Sequence, residues 1–183
     1  MWWFYTVILG MAFGQVLQEL AIAVRDWRNE TRRPFAPAML WQVFLLALIV
    51  QVWLAVTYYR DTVTEITILE LVAFLAVPAG ILVMSFLLPD SNHDPGHDVA
   101  ASFNRVRPVF FGVLIAMVAI NLLHGLAIGQ LGLDLDLGFQ CLIIAGAVTG
   151  LFTRRVGADI GLAVVMIVIV GHRMCASLSS PRW

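Results

Sequence analysis

FYTVILGMAFGQVLQELAIA, residues 4–23, is an apolar run with one formal charge, on Glu19. At about 20 residues it is long enough to cross the hydrocarbon core of a bilayer as a helix. It has a counterpart in FFGVLIAMVAINLLHGLAIG, residues 110–129. Laid together without a gap, the two share Phe4/Phe110, Val7/Val113, Met11/Met117, Leu17/Leu123, Leu20/Leu126, Ala21/Ala127 and Ile22/Ile128. The polar positions correspond as well, Gln15 to Asn121 and Gln18 to His124. Apolar runs match by chance, so the aligned polar pair is the more telling agreement. It points to a chain of two related halves.

Composition agrees with a membrane protein. Hydrophobic residues make up 61% of the 183 and charged residues 13%, and the mean hydropathy is +0.89. A soluble domain is about half apolar and about a quarter charged. Apolar stretches separated by polar connections predict six transmembrane helices, at about residues 2–24, 38–59, 65–88, 109–130, 137–153 and 157–177. The expected fold is therefore an all-α integral membrane protein. Trp2, Trp3 and Tyr5 read as interfacial anchors, and Pro78-Ala79-Gly80 as a kink in the third helix.

All 11 basic residues are arginine, which rules out a retinal or pyridoxal Schiff base, since either needs a lysine. No basic stretch is dense enough to bind nucleic acid. Cys141 and Cys175 both fall in apolar runs and read as buried free thiols. The N-terminus lacks a secretory cleavage pattern, so the first helix is expected to remain in the mature protein.

Arginines set the expected orientation. Arg25, Arg28, Arg32, Arg33, Arg105, Arg107, Arg154 and Arg155 fall in the connections 1–2, 3–4 and 5–6, against Arg60, Arg173 and Arg182 on the other side. The positive-inside rule then places those three connections in the cytoplasm and both termini outside. Three helices is an odd number, so the fourth enters from the side opposite to the first. The halves become inverted three-helix repeats, 1–89 and 109–183, joined by a polar cytoplasmic linker at 90–108. Trp41-Gln42 against Phe139-Gln140, and Pro89 against Pro181, are fainter echoes of the same repeat. Inverted repeats recur in transporters, with sites near the midplane.

The opening MWW-x-Y, the arginine-rich connection into FAPAMLW, the QVW at 51–53 and the FLLPD at 86–90 resemble a group of small polytopic bacterial inner-membrane proteins. The resemblance covers about the first 110 residues and is weak beyond them. It implies a multi-pass protein of the bacterial inner membrane and brings no assigned activity or catalytic residue.

Ionisable groups inside a membrane cost at least a few kcal/mol and usually face a partner or a cavity. Two polar groups of residues follow from helix direction. Gln15, Gln18, Glu19 and Gln42 lie toward the cytoplasmic side, the first three within one turn and so on one face. Glu70, His124, Gln140, His172 and Arg173 lie toward the outer side, with Asn121 one turn from His124. They suit a permeation or proton-relay path, with Glu19 and Glu70 as exchangeable carboxylates, or equally a set of hydrogen-bonded helix cross-links. Glu19 could also pair with Arg25 or snorkel. His124 and His172, at similar depth on helices running the same way, are the residue types for a bis-histidine haem. His93, Asp94, His97 and Asp98 are ligand types for a divalent metal in the 3–4 connection. No nucleophile elbow or phosphate-binding loop occurs, so no enzymatic activity is expected. Gly157-x-x-x-Gly161 reads as a close helix contact, within the chain or between chains. The leading expectation is a small transporter or channel for an ion, proton or small solute, embedded in the lipid bilayer as a homo-oligomer. The alternatives are a transmembrane subunit or scaffold that packs on other membrane subunits, and a haem or metal protein.

Overall fold

A computed structural model describes residues 2–29, 35–60, 68–88, 99–127 and 135–179. They form six α-helices: α1 (Trp2–Arg28), α2 (Ala36–Arg60), α3 (Ile68–Leu87), α4 (Val99–Ala127), α5 (Leu135–Phe152) and α6 (Val156–Ser179). Lipid offers no hydrogen-bond partner to the backbone, so an apolar chain of this kind satisfies its peptide groups within each segment, as helix. Five of the six are long and apolar enough to cross a membrane. The exception, α5, has 18 residues, about 27 Å at 1.5 Å per residue, which agrees with the short fifth helix expected from the sequence. The protein is an all-α membrane protein.

The extensive helix contacts close into a cycle. α1 packs on α2 and α3, α2 on α6, α6 on α5, α5 on α4, and α4 back on α3. Each helix turns one stripe inward. On α1 the buried residues are Tyr5, Leu9, Ala12, Val16 and Glu19, spaced alternately by four and three, which is one face of a 3.6-residue helix. The middle of the cycle is filled. Trp41 of α2 reaches across to α4, its ring meeting Phe111 edge-on at 4.9 Å and Phe110 at 5.8 Å between centroids. Ile81 and Met84 of α3, Leu114 of α4, Ala147 of α5 and Met166 of α6 complete this interior. In a bilayer, where lipid tails are as apolar as side chains, such van der Waals packing is a main source of helix association.

Several expectations change. α4 begins at Val99, about ten residues before the expected start, so 99–108 belong to a helix and Pro108 lies inside it. Membrane helices accommodate proline where side chains and neighbours satisfy the freed backbone. Tyr5 is an inner packing residue: its ring lies 4.4 Å from that of Phe74, and Trp2 meets the same ring at 5.3 Å. Trp3 is exposed, as an anchor should be. Cys141 and Cys175 are free but exposed on the outer surface, because the outside of a membrane bundle is as apolar as its inside. Gly157 and Gly161 face open space, so they make no close contact within the described chain. The close approaches are at Gly146, against Met166, and at Gly150, where a methyl group would run into the Phe111 ring.

A swap of the two halves would pair the α2–α6 contact with one between α5 and α3, the α1–α3 contact with one between α4 and α6, and the α3–α4 contact with one between α6 and α1. None of those three counterparts is among the extensive contacts of the described residues. Two other pairs do correspond, α1–α2 with α4–α5 and α2–α3 with α5–α6, so consecutive helices within each half pack in matching pairs while the remaining contacts differ.

Gly150→Ala should destabilise the protein by about 1–3 kcal/mol through overpacking against Phe111, whereas Gly157→Ala and Gly161→Ala should leave the monomer unchanged or slightly firmer. Thermal unfolding of the three variants in one detergent checks this. A Gly150→Ala protein as stable as the parent would show that the Phe111 ring is not held where it is described.

Candidate functional site

The most developed polar arrangement lies at one end of the bundle, where α1, α3 and α5 finish and α2, α4 and α6 begin. α5 ends at Phe152, so the carbonyl of Gly150 is one of the last four that find no partner in their own helix. Arg107, two turns into α4, donates its Nε to that carbonyl at 2.7 Å. Its Nη2 donates to Asp159 Oδ1, forming an ion pair with both side chains almost fully buried. Its Nη1 lies 3.5 Å from Asn104 Oδ1, one turn back on α4. Asp159 sits in the first turn of α6 and also accepts from Trp41 Nε1 of α2, at 3.4 Å. The guanidinium carbon is 5.4 Å from the Phe103 ring centroid and 5.6 Å from that of Phe111. One arginine thus ties α4 to α5 and α6, and the aspartate adds α2.

Helix dipoles favour the same arrangement. A cation at the carboxyl end of α5 and an anion in the first turn of α6 each oppose the partial charge there. The glycine at 150 has a second use: without a Cβ it leaves room for the tip of the Phe111 ring beside the charge pair. Neither charged residue was singled out by the sequence reading. Arg107 counts there as a connection arginine because Pro108 follows it, and Asp159 goes unremarked. The signal that finds the pair is Asp159 itself, an acid within the apolar run of α6 (Val156–Cys175) that needs a buried base.

The sequence-selected residues scatter by comparison. Gln15 donates to Glu19 at 3.4 Å along α1, with Glu19 buried. Gln18 is exposed, so the three do not share one inner face, because Gln18 stands one residue off the buried stripe. Glu19 does not snorkel, and Arg25 lies 3.5 Å from Asp26. Gln42 is buried with no described hydrogen-bond partner for its Oε1, and Gln51 Oε1 and His124 Nε2 are alike in this. At the far end, Asn121 of α4 donates to Gln140 Oε1 of α5 at 3.1 Å. Arg173 of α6 lies over Phe139 of α5, 5.9 Å from its centroid. Glu70 is half-buried near the start of α3. His124 is half-buried and His172 exposed, on α4 and α6, which both pack on α5. No group of three or more metal-ligating side chains occurs among the described residues. His93, Asp94, His97 and Asp98 lie outside them.

An apolar cleft of about 190 Å³ opens on the outer surface between α1 and α2, lined by Gly10, Phe13, Ile49, Val50, Trp53 and Leu54. It is remote from the charge pair, on the part of α2 beyond Phe44.

Comparison with protein-family models, with curated proteins and with solved structures finds no match. The resemblance to small bacterial membrane proteins rests on the sequence motifs alone.

Removing one member of the charge pair leaves a buried, uncompensated charge or dipole. Arg107→Gln and Asp159→Asn should each cost about 3–5 kcal/mol, while Arg107→Met combined with Asp159→Leu should cost less than either single change. Unfolding of the singles and the double in mixed micelles tests this. Strictly additive losses would mean the two side chains do not act as a pair.

Proposed function

We propose that this protein is a non-catalytic transmembrane subunit or scaffold, a six-helix module that packs against other membrane-embedded chains or further copies of itself. The observation that carries this reading is the filling of the interior. Trp41, Phe110, Phe111, Met84, Met166 and Leu114 occupy the middle of the helix cycle, and its strongest polar interaction, between Arg107 and Asp159, is internal and satisfied. Several small residues face outward with nothing packed on them. Gly10 and Gly14 on α1, and Gly157 and Gly161 on α6, each have open space where a side chain would be. Small residues on an outer face let a second helix approach closely. In this reading the chain resides in a bacterial inner membrane with the arginine-rich end in the cytoplasm and both termini outside.

A second reading, a small transporter or channel for an ion, proton or small solute, is favoured by a separate observation. Gln42 Oε1, Gln51 Oε1 and His124 Nε2 are buried without described hydrogen-bond partners. Orphaned buried polar atoms call for an explanation, and a passing ion or water is one. Glu19, Glu70, Gln15, Asn121, Gln140, His172 and Arg173 would then contribute along the way.

The two readings separate on two measurements. Purified in mild detergent, the wild-type protein should run as an assembly larger than the monomer, and Gly161→Leu or Gly14→Leu should shift it to monomer without lowering its unfolding temperature. In liposomes, proton and ion flux should stay at the empty-vesicle level for wild type, Glu19→Gln and Glu70→Gln alike. Flux above that level in the wild type, lost in a glutamine variant, would replace the first reading with the second.

A further inference from the structure

The end of the bundle that holds the buried charge pair also carries exposed arginines. Arg25 is paired with Asp26, and Arg107 with Asp159. Arg28, Arg105, Arg154 and Arg155 are exposed, and no carboxylate pairs with any of them among the described residues. Arg154 and Arg155 form the turn between α5 and α6, directly flanked by apolar groups that also point outward: Phe152 is 79% exposed and Val156 52%. Arg105 stands at the same level of the membrane, since Arg107, two residues further along α4, meets the Gly150 carbonyl near the end of α5. Its position, over half a turn around α4 from the buried Arg107, puts it on the outer surface.

We propose that this basic rim binds the headgroups of anionic phospholipids, with the α5–α6 turn as its principal contact. The chemistry of the turn selects such a partner. Guanidinium groups hold phosphate oxygens in a bidentate fork, and the flanking Phe152 and Val156 suit the acyl chains that a membrane lipid brings and a free phosphate lacks. Juxtamembrane arginines are attracted to an anionic leaflet, with an effect of about fivefold in affinity for each one. The proposal requires only that the helices span a bilayer, and it holds whether the module is a scaffold or a transporter.

The test compares the purified full chain in nanodiscs of phosphatidylcholine alone and of phosphatidylcholine with phosphatidylglycerol, for wild type and for Arg154→Gln/Arg155→Gln. Native mass spectrometry counts the lipids retained after release, and unfolding temperature reports the folded state. Wild type should retain the anionic lipid selectively and unfold at a higher temperature in the mixed discs. The double variant should retain it at least tenfold more weakly while matching wild type in phosphatidylcholine alone. Arg105→Gln should give a smaller loss, and Arg154→Lys/Arg155→Lys an intermediate one, since lysine keeps the charge but not the bidentate fork. Equal retention of the two lipids by wild type, or undiminished selectivity in the double glutamine variant, would overturn the proposal. So would an equal stabilisation of the detergent-solubilised protein by inorganic phosphate, which would mark the turn as a free-anion site.

Discussion

The bundle is organised at one end by an ion pair that only folding can create. Arg107 and Asp159 stand 52 residues apart in sequence and would each be costly in the membrane alone. Their mutual attraction is strengthened by the low dielectric around them, but so is the penalty for taking both from water. What tips the balance is the rest of the site. The Gly150 carbonyl takes a second hydrogen bond from the guanidinium, Trp41 gives one to the carboxylate, and two aromatic faces cover the cation. Four helices are thereby held in one register. The short α5 gains as well: the Gly150 carbonyl, left without a donor by its own helix, takes one from Arg107.

The same site explains why α4 runs ten residues further back than its hydropathy suggests. A helix that ended at Pro108 would leave Arg107 in a polar connection, far from Asp159. Continuing the helix through Asn104 and Phe103 aims Arg107 inward and puts the Phe103 ring against it. The proline removes one backbone donor, and that loss is small beside an ion pair satisfied on both sides.

How much could be read from the sequence depended on which property each feature expressed. Helix number, the short α5 and the membrane class follow from the length and apolarity of each run, which are local, and these agree with the structure. The direction of each residue around its helix is only partly local. Gln15 and Glu19 emerged on one face, as four-residue spacing requires, but Gln18 did not, because the buried stripe of α1 is narrow. In a soluble helix the outward face would have marked itself by polarity. Here both faces are apolar, which is also why Cys141 and Cys175 could be taken as buried. The charge pair was least legible of all, since pairing across helices leaves no periodic trace. An acid in an apolar run was the only sign.

The twin sequences of α1 and α4 gain a different meaning from that pair. With the offset that aligns the two runs, Arg107 falls opposite Met1, so the first half has no counterpart to the residue that ties the second half together. The aligned polar positions have diverged in the same way. Gln15 bonds within its own helix to Glu19, whereas Asn121 bonds across to Gln140 on α5. Gln18 is exposed where His124 is half-buried. Apolar matches such as Val7/Val113 can persist in either setting, because an exposed valine in lipid and a half-buried valine against a helix have nearly the same environment. Polar contacts cannot persist so easily, since each needs a partner at hydrogen-bond distance. A repeat in the apolar letters therefore places few demands on the packing, and the packing follows the charges: one end fastened by Arg107 and Asp159, the other joined by weaker amide and arginine–aromatic contacts.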